Sequence, residues 1–376
     1  MFLSHFWLES IPDESTWDFT PIFALYLYWL ALSRLQFFQT IERGFLAQPV
    51  YIYMWAVGLL FFLYTFAEAH SWLLPQIYQY PLVDMQLQWK SAGTMVGSMN
   101  LLVYGSLAYL GSILNKGQKS CQTRLTFALF GIGLLNSFTN YTHHTYHLPQ
   151  SQVVKWIGFV VSMSEAILLW RLVIEVSALW RQRQNDNRSS GNLKLTRAFI
   201  RSAKTWTLIN LFYSLLISIP PLNTMIHGTH VVFAHAMGSM IGIDTMILLS
   251  VLSFFAIEYT HKDYCKNLFL LNKFRLGLNF GLFIVVATMT YKGILDGFAS
   301  YMGESRDNHT MTLYLFACGG FLMAISLIGT ALIWLRVFLP YFSIYKAKYI
   351  QTNPEFWHHE PISQTSKAQH MQQNNR

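Results

Sequence analysis

Charge is what this chain has least of. Asp, Glu, Lys and Arg make up 12% of its 376 residues, about half the usual share of a water-soluble domain. That scarcity excludes a disordered chain and a charge-laced coiled coil, and it argues against a soluble enzyme. Cysteine is scarce too. Cys121, Cys265 and Cys318 stand far apart, with neither the close pairs of a zinc site nor the density of a disulfide framework. No Cys-x-x-Cys-His string for covalent haem attachment occurs. The first 18 residues hold Glu9, Asp13, Glu14 and Asp18 but no Lys or Arg, the wrong charge for a secretory leader. No ten-residue alternation marks a membrane β-barrel, and no internal repeat marks a transporter.

What is present is apolar. Hydrophobic residues reach 53% and aromatics 16%. A bilayer helix needs about 20 mostly apolar residues, and nine runs qualify: 21–41, 51–70, 92–114, 125–142, 154–180, 205–219, 231–256, 277–299 and 311–339. The expected fold class is all-α, a polytopic membrane bundle of about nine transmembrane helices. Its expected parts are an external segment at 1–20, a transmembrane domain at 21–340 and a polar tail at 341–376. The net charge of +8 does not read as a nucleic-acid surface, because the basic residues lie between apolar runs; membrane lipid is the expected surrounding. The connection after the fifth run carries Arg181, Arg183, Arg188, Lys194, Arg197, Arg201 and Lys204, whereas the opposite side carries only Lys90, Lys155, Lys292 and Arg306. By the positive-inside rule the amino terminus lies outside and the carboxyl terminus in the cytoplasm. The basic connection reads as a topology determinant, not as a binding patch.

The histidines gather at one depth. His143 and His144 are adjacent at the outer end of the fourth run, with His147 just beyond. His227, His230 and His235 occupy the outer entry of the seventh, in HGTHVVFAHAMG. Imidazole is the commonest ligand for haem iron, copper and non-haem iron, and ionisable groups at membrane depth point to function. A single interfacial histidine such as His70 or His261 reads instead as a hydrogen-bonded anchor. His235 and Met237 are two apart, so one helix projects them to nearly opposite sides. Glu165 falls near mid-membrane in the fifth run. Asp244 is a further intramembrane charge, and Arg171 with Glu175, and Lys292 with Asp296, have the i, i+4 spacing of simple ion pairs.

Four motifs in order carry a resemblance: RGFLAQP at 43–49, Thr142-His143-His144, VSMSE at 161–165, and INLFYSLLISIPPLNTMIHGTHVVFAHAMG at 209–238. Over about residues 40–340 the chain resembles the catalytic subunit of bacterial nitric oxide reductases, within the haem–copper oxidase superfamily. The resemblance implies a subunit I-like fold in the bacterial inner membrane. It implies a high-spin haem b on His235, non-haem iron or copper on His143 and His144, a buried catalytic Glu165, and His227 near the haem propionates. An electron-donor subunit, quinol or cytochrome c is the implied source of electrons, and the reaction is reduction of nitric oxide or of oxygen.

The chain also departs from that family. Ala92 stands where a third metal-binding His is expected, and Val96 and Asn100 stand where two Glu are expected. The metal site is thereby short of ligands, although His147 or His70 could substitute. A low-spin haem lacks a counterpart for its first ligand and has Met237 at its second, a residue type that does serve haem iron. The expectation is that the chain starts after the family's first two helices, which another polypeptide could supply. The competing reading is a non-catalytic haem-binding membrane protein, or a partial subunit that has lost the complete metal site.

Overall fold

The computed structural model describes residues 48–114, 124–139, 151–185, 194–260, 263–303 and 310–338, and these are nearly all helical. The apolar runs dictate this, because a backbone among hydrocarbon must satisfy its own hydrogen bonds. In chain order the helices are α1 (Val50–Ala69), the short α2 (Pro75–Tyr78), α3 (Pro81–Leu114), α4 (Arg124–Thr139), α5 (Gln152–Asn185), α6 (Lys194–Ile217), α7 (Pro220–Ile226), α8 (His230–Met237), α9 (Met246–Thr260), α10 (Asp263–Met302) and α11 (Thr310–Phe338). A π-helical stretch, Gly238–Thr245, joins α8 to α9 without a break. There is no strand among the described residues.

Six helical segments are long and apolar enough to cross a membrane: Val50–Ala69, Gly93–Leu114, Gln152–Trp180, His230–Ala256, Asn267–Met302 and Thr310–Phe338. Each matches a run expected from sequence. The remaining three expectations stand differently. The run 21–41 lies outside the described residues. The runs at 125–142 and 205–219 do form helices, α4 and α6. However, the described part of α4 is 16 residues long, and the opening half of α6 carries Lys194, Arg197, Arg201 and Lys204. Neither therefore has the length and composition of a span among the described residues.

The helices pack in sequence-adjacent pairs around one apolar core that runs from Val50 in α1 to Val337 in α11. The α1–α3 pair is pinned where Trp55 Nε1 donates to the Leu102 carbonyl at 3.2 Å and to Ser106 Oγ at 3.2 Å. The α10–α11 pair closes to near backbone contact. A Cβ on Gly281 would stand 2.7 Å from the Gly319 carbonyl, and one on Gly319 would stand 3.0 Å from the Gly281 carbonyl. Small residues matter here because helices in lipid associate by close packing, not by the hydrophobic effect. α6 and α9 lie together at the centre, joined by Ser250 Oγ donating to the Thr196 carbonyl at 3.1 Å.

Candidate functional site

The segment that positions His235 is built from its ends. Pro220 and Pro221 open α7, where a missing amide costs nothing. His227 ends α7 in an extended conformation. Gly228 then takes φ 75°, which a side chain would disfavour. The Thr229 hydroxyl donates to the Ile226 carbonyl at 2.6 Å and accepts the Val231 amide at 3.3 Å, so it caps α8 as it leaves α7. His235 follows in the second turn, about 7.5 Å along the axis from His230 at 1.5 Å per residue.

Two neighbours on α6 hold the His235 ring. The Tyr213 ring lies parallel to it, 3° between planes and 6.0 Å between centroids. Tyr213 is itself fixed by donating to the Val231 carbonyl at 3.1 Å and by lying 3.0 Å from the Thr290 hydroxyl of α10. Ser214 Oγ sits 3.5 Å from His235 Nδ1. Its only proton goes to the Asn210 carbonyl at 2.6 Å, so toward the imidazole it can only accept. An imidazole that donates from Nδ1 to this oxygen has its Nε2 lone pair available. A neutral imidazole oriented through its far nitrogen is the donor that a haem iron takes. The residues present therefore fit a haem at His235. His227 is half-buried at the α7–α8 corner, and Met237 is half-buried and packed on the apolar core.

Glu165 occupies a second polar pocket. It is 3% exposed in the middle of α5 and accepts from the Asn136 side-chain amide of α4 and from Asn100 Nδ2 of α3 at 3.3 Å. The buried Tyr104, one turn beyond Asn100, lies beside it. Ser162 Oγ donates to Asn136 Oδ1 at 3.2 Å and so orients the amide that serves Glu165. Asp244, in the π-helical stretch, lies within electrostatic range of Glu165. That stretch begins three residues past His235, so one continuous membrane segment bears on both pockets. Asn136, Tyr104, Ser214 and Tyr213 were not singled out from sequence. Their only signal there is a polar side chain within an apolar run.

His143, His144 and His147 lie outside the described residues. Among the described residues no group of three His, Cys, Asp or Glu could hold a metal ion. Ala92, Val96 and Asn100 share one face of α3 at four-residue steps, and the one polar group among them, the Asn100 amide, is engaged on Glu165. His70 is held by the Phe66 carbonyl, 2.7 Å from Nδ1, and by the Phe66 ring at 4.3 Å. Its neighbour Glu68 accepts from Lys90 and Ser91. The Lys90 ammonium stays above its ordinary range: burial works to lower it, but the bonds to Glu68 and Tyr64 prevail. At the start of α8 His230 Nδ1 lies 3.1 Å from Asp296 Oδ2, and Lys292 reaches Asp296 Oδ1 at 3.2 Å. The sequence-expected pairing of Lys292 with Asp296 is thus formed. Arg171 and Glu175 are not paired among the described residues, where Arg171 is exposed and Glu175 only half-buried.

A family model described as cytochrome c and quinol oxidase polypeptide I matches residues 2–332. The chain belongs to this family. The fold agrees with the family: a haem–copper terminal oxidase dimer, solved by cryo-electron microscopy, is similar at a TM-score of 0.58 with 17% identity. The similarity covers 77% of this chain and 56% of that one, so this chain spans little more than half of that oxidase chain's length. No curated protein matches the chain. Membership makes the chain an integral membrane protein of an oxidoreductase family with the subunit I fold of haem–copper oxidases. The family's normal cofactors are haem and copper, and its subunit I normally works within a larger complex.

Proposed function

We propose that this chain is the haem b-binding membrane subunit of an oxidoreductase resembling nitric oxide reductase, with nitric oxide or oxygen as the gas reduced. The observation that carries the reading is the His235 imidazole, held by Tyr213 and Ser214 with its Nε2 lone pair left for iron. A haem there would supply one-electron redox chemistry and an open position for a diatomic gas. Ser214 keeps the proton on Nδ1, and Tyr213 keeps the ring from turning. Glu165 holds or passes a proton at its carboxylate, while Asn100 and Asn136 fix the direction in which it points. His227 is the group proposed for the propionate side. His143 and His144 are proposed for the non-haem metal. Electrons are proposed to come from a partner subunit, quinol or cytochrome c.

The face of α3 favours a second reading, a haem-binding protein without turnover. Ala92 and Val96 offer no metal donor, and Asn100 spends its amide on Glu165. Two imidazoles alone hold a metal weakly. Stopped-flow nitric oxide consumption with an artificial electron donor, on wild type and Ala92→His, separates the two. Haem that binds carbon monoxide, with slow wild-type turnover that rises in Ala92→His, supports a reductase with a degraded metal site. Fast wild-type turnover that is lost when His143 or His144 becomes Ala supports the full reductase. No turnover in either form, with gas binding intact, supports the second reading. A protein free of haem and metal by elemental and pyridine-haemochrome analysis would sink both.

A further inference from the structure

The basic residues that open α6 do more than mark one side of the membrane. Lys194, Arg197 and Arg201 fall at i, i+3 and i+7, on one helical face. They line a cleft of about 830 Å³ whose opposite wall is the early part of α10, with Asn272, Arg275 and Asn279. Among the described residues no acidic side chain lines it. The far wall is built before any ligand arrives. Arg275 Nη1 donates to Ser202 Oγ at 2.9 Å, and Nε and Nη2 donate to Asn272 Oδ1 at 3.1 and 3.0 Å. Asn279 Nδ2 donates to the same serine at 3.2 Å. Arg201 is near enough to Arg275 for their like charges to interact, a repulsion that a bound anion would relieve.

The cleft also has apolar lining, from Leu195, Ala198, Leu268 and Phe269. Phe269 on its rim is 72% exposed. Below Arg201 on the same face of α6, Leu208 and Phe212 are also exposed. Cations lie over aromatic rings at this end of the bundle, Lys273 over Phe269 at 4.5 Å and Lys204 over Trp170 at 5.9 Å, the arrangement of a headgroup boundary. A basic recess that opens onto an apolar helix face matches a molecule with an anion at one end and hydrocarbon at the other. We propose that the cleft between α6 and α10 binds the phosphodiester of an anionic phospholipid, with an acyl chain lying along Leu208 and Phe212. A soluble anion would meet the basic wall but would leave the apolar track unused.

The test uses the full chain purified in a nonionic detergent and titrated separately with phosphatidylglycerol, phosphatidylcholine and inorganic phosphate. Thermal unfolding and lipid retained in native mass spectrometry are the readouts. Phosphatidylglycerol is expected to be retained and to raise the unfolding temperature, and the other two are not. Arg201→Gln should weaken phosphatidylglycerol binding about tenfold, as loss of one charged hydrogen bond does. Arg171→Gln, an exposed arginine of α5 outside the cleft lining, should bind as wild type. Arg275→Gln also breaks the bonds to Ser202 and Asn272, so Arg201→Gln is the deciding variant. Equal retention of both lipids, or wild-type affinity in Arg201→Gln, overturns the proposal. Equal protection by inorganic phosphate overturns the lipid assignment in favour of a free-anion site.

Discussion

At the scale of single residues, one hydroxyl proton decides the chemistry of His235. Because Ser214 gives its proton to the Asn210 carbonyl, it faces His235 Nδ1 as an acceptor. Replacing His235 with Ala should abolish the b-type optical spectrum of the reduced protein. His230→Ala should leave that spectrum in place, since His230 is turned to Asp296. Ser214→Ala should keep the haem but bind it about tenfold more weakly, the usual cost of a lost partner to a metal-ligating histidine, read by haem transfer to a scavenger. Glu165 presents the complementary case. Asn136→Ala removes the amide that bonds it from α4, leaving a buried acceptor short of a partner at a cost of about 1–3 kcal/mol. Denaturation in mixed micelles should show that loss, and Asn136→Gln should recover it only in part. That His235 and Glu165 sit within apolar helices was legible in the sequence, because an ionisable residue in an apolar run is conspicuous. Their partners were not, since serine, tyrosine and asparagine on such runs carry no period that says which helix they face.

At the scale of elements, close approach matters more than side-chain chemistry. A Cβ on Gly293 of α10 would lie 2.3 Å from the Val231 amide nitrogen, an overlap with backbone that no rotamer can relieve. Gly293→Ala should therefore push the start of α8 off α10. Overpacking of this kind costs about 1–3 kcal/mol, and the displacement should pull His230 from Asp296 and reduce haem occupancy, measured as haem per chain in the purified variant. The sequence showed the helices themselves well, because length and apolarity are local properties. It showed the pairings of their charges less well: i, i+4 spacing foresaw Lys292 with Asp296, yet Arg171 and Glu175 have the same spacing and stay apart. Spacing permits such a pair, but helix packing decides whether the two side chains turn toward each other. The basic opening of α6 was read from sequence as a topology signal alone, since a cleft formed with α10 is a tertiary feature that no run of residues reveals.

At the scale of the whole molecule, the distribution of Lys and Arg predicts the direction of insertion. A reporter fused after Gln184 should be cytoplasmic and one fused after Pro149 external; the reverse pattern would remove the shared outer depth of the two histidine groups. The family was legible as a resemblance in four short motifs, and the family match over residues 2–332 supports its broader form. Nitric oxide as against oxygen remains the subject of the proposal, because it turns on ligands near His143 and His144 and on α3. One feature of the central segment links these scales. Its first third packs on α10, its middle on α6 and its last part on α6 and α3, and the π-helical Gly238–Thr245 lies between. Hydrogen bonds of the i to i+5 type wind more residues into each turn than an α-helix does. The stretch therefore acts as a phase shift of azimuth, setting the compass bearing of His235 separately from that of Ser250 and Phe254. Winding it back to a regular helix would leave the segment crossing the membrane and both ends well formed, but would turn His235 out of register with Tyr213 and Ser214.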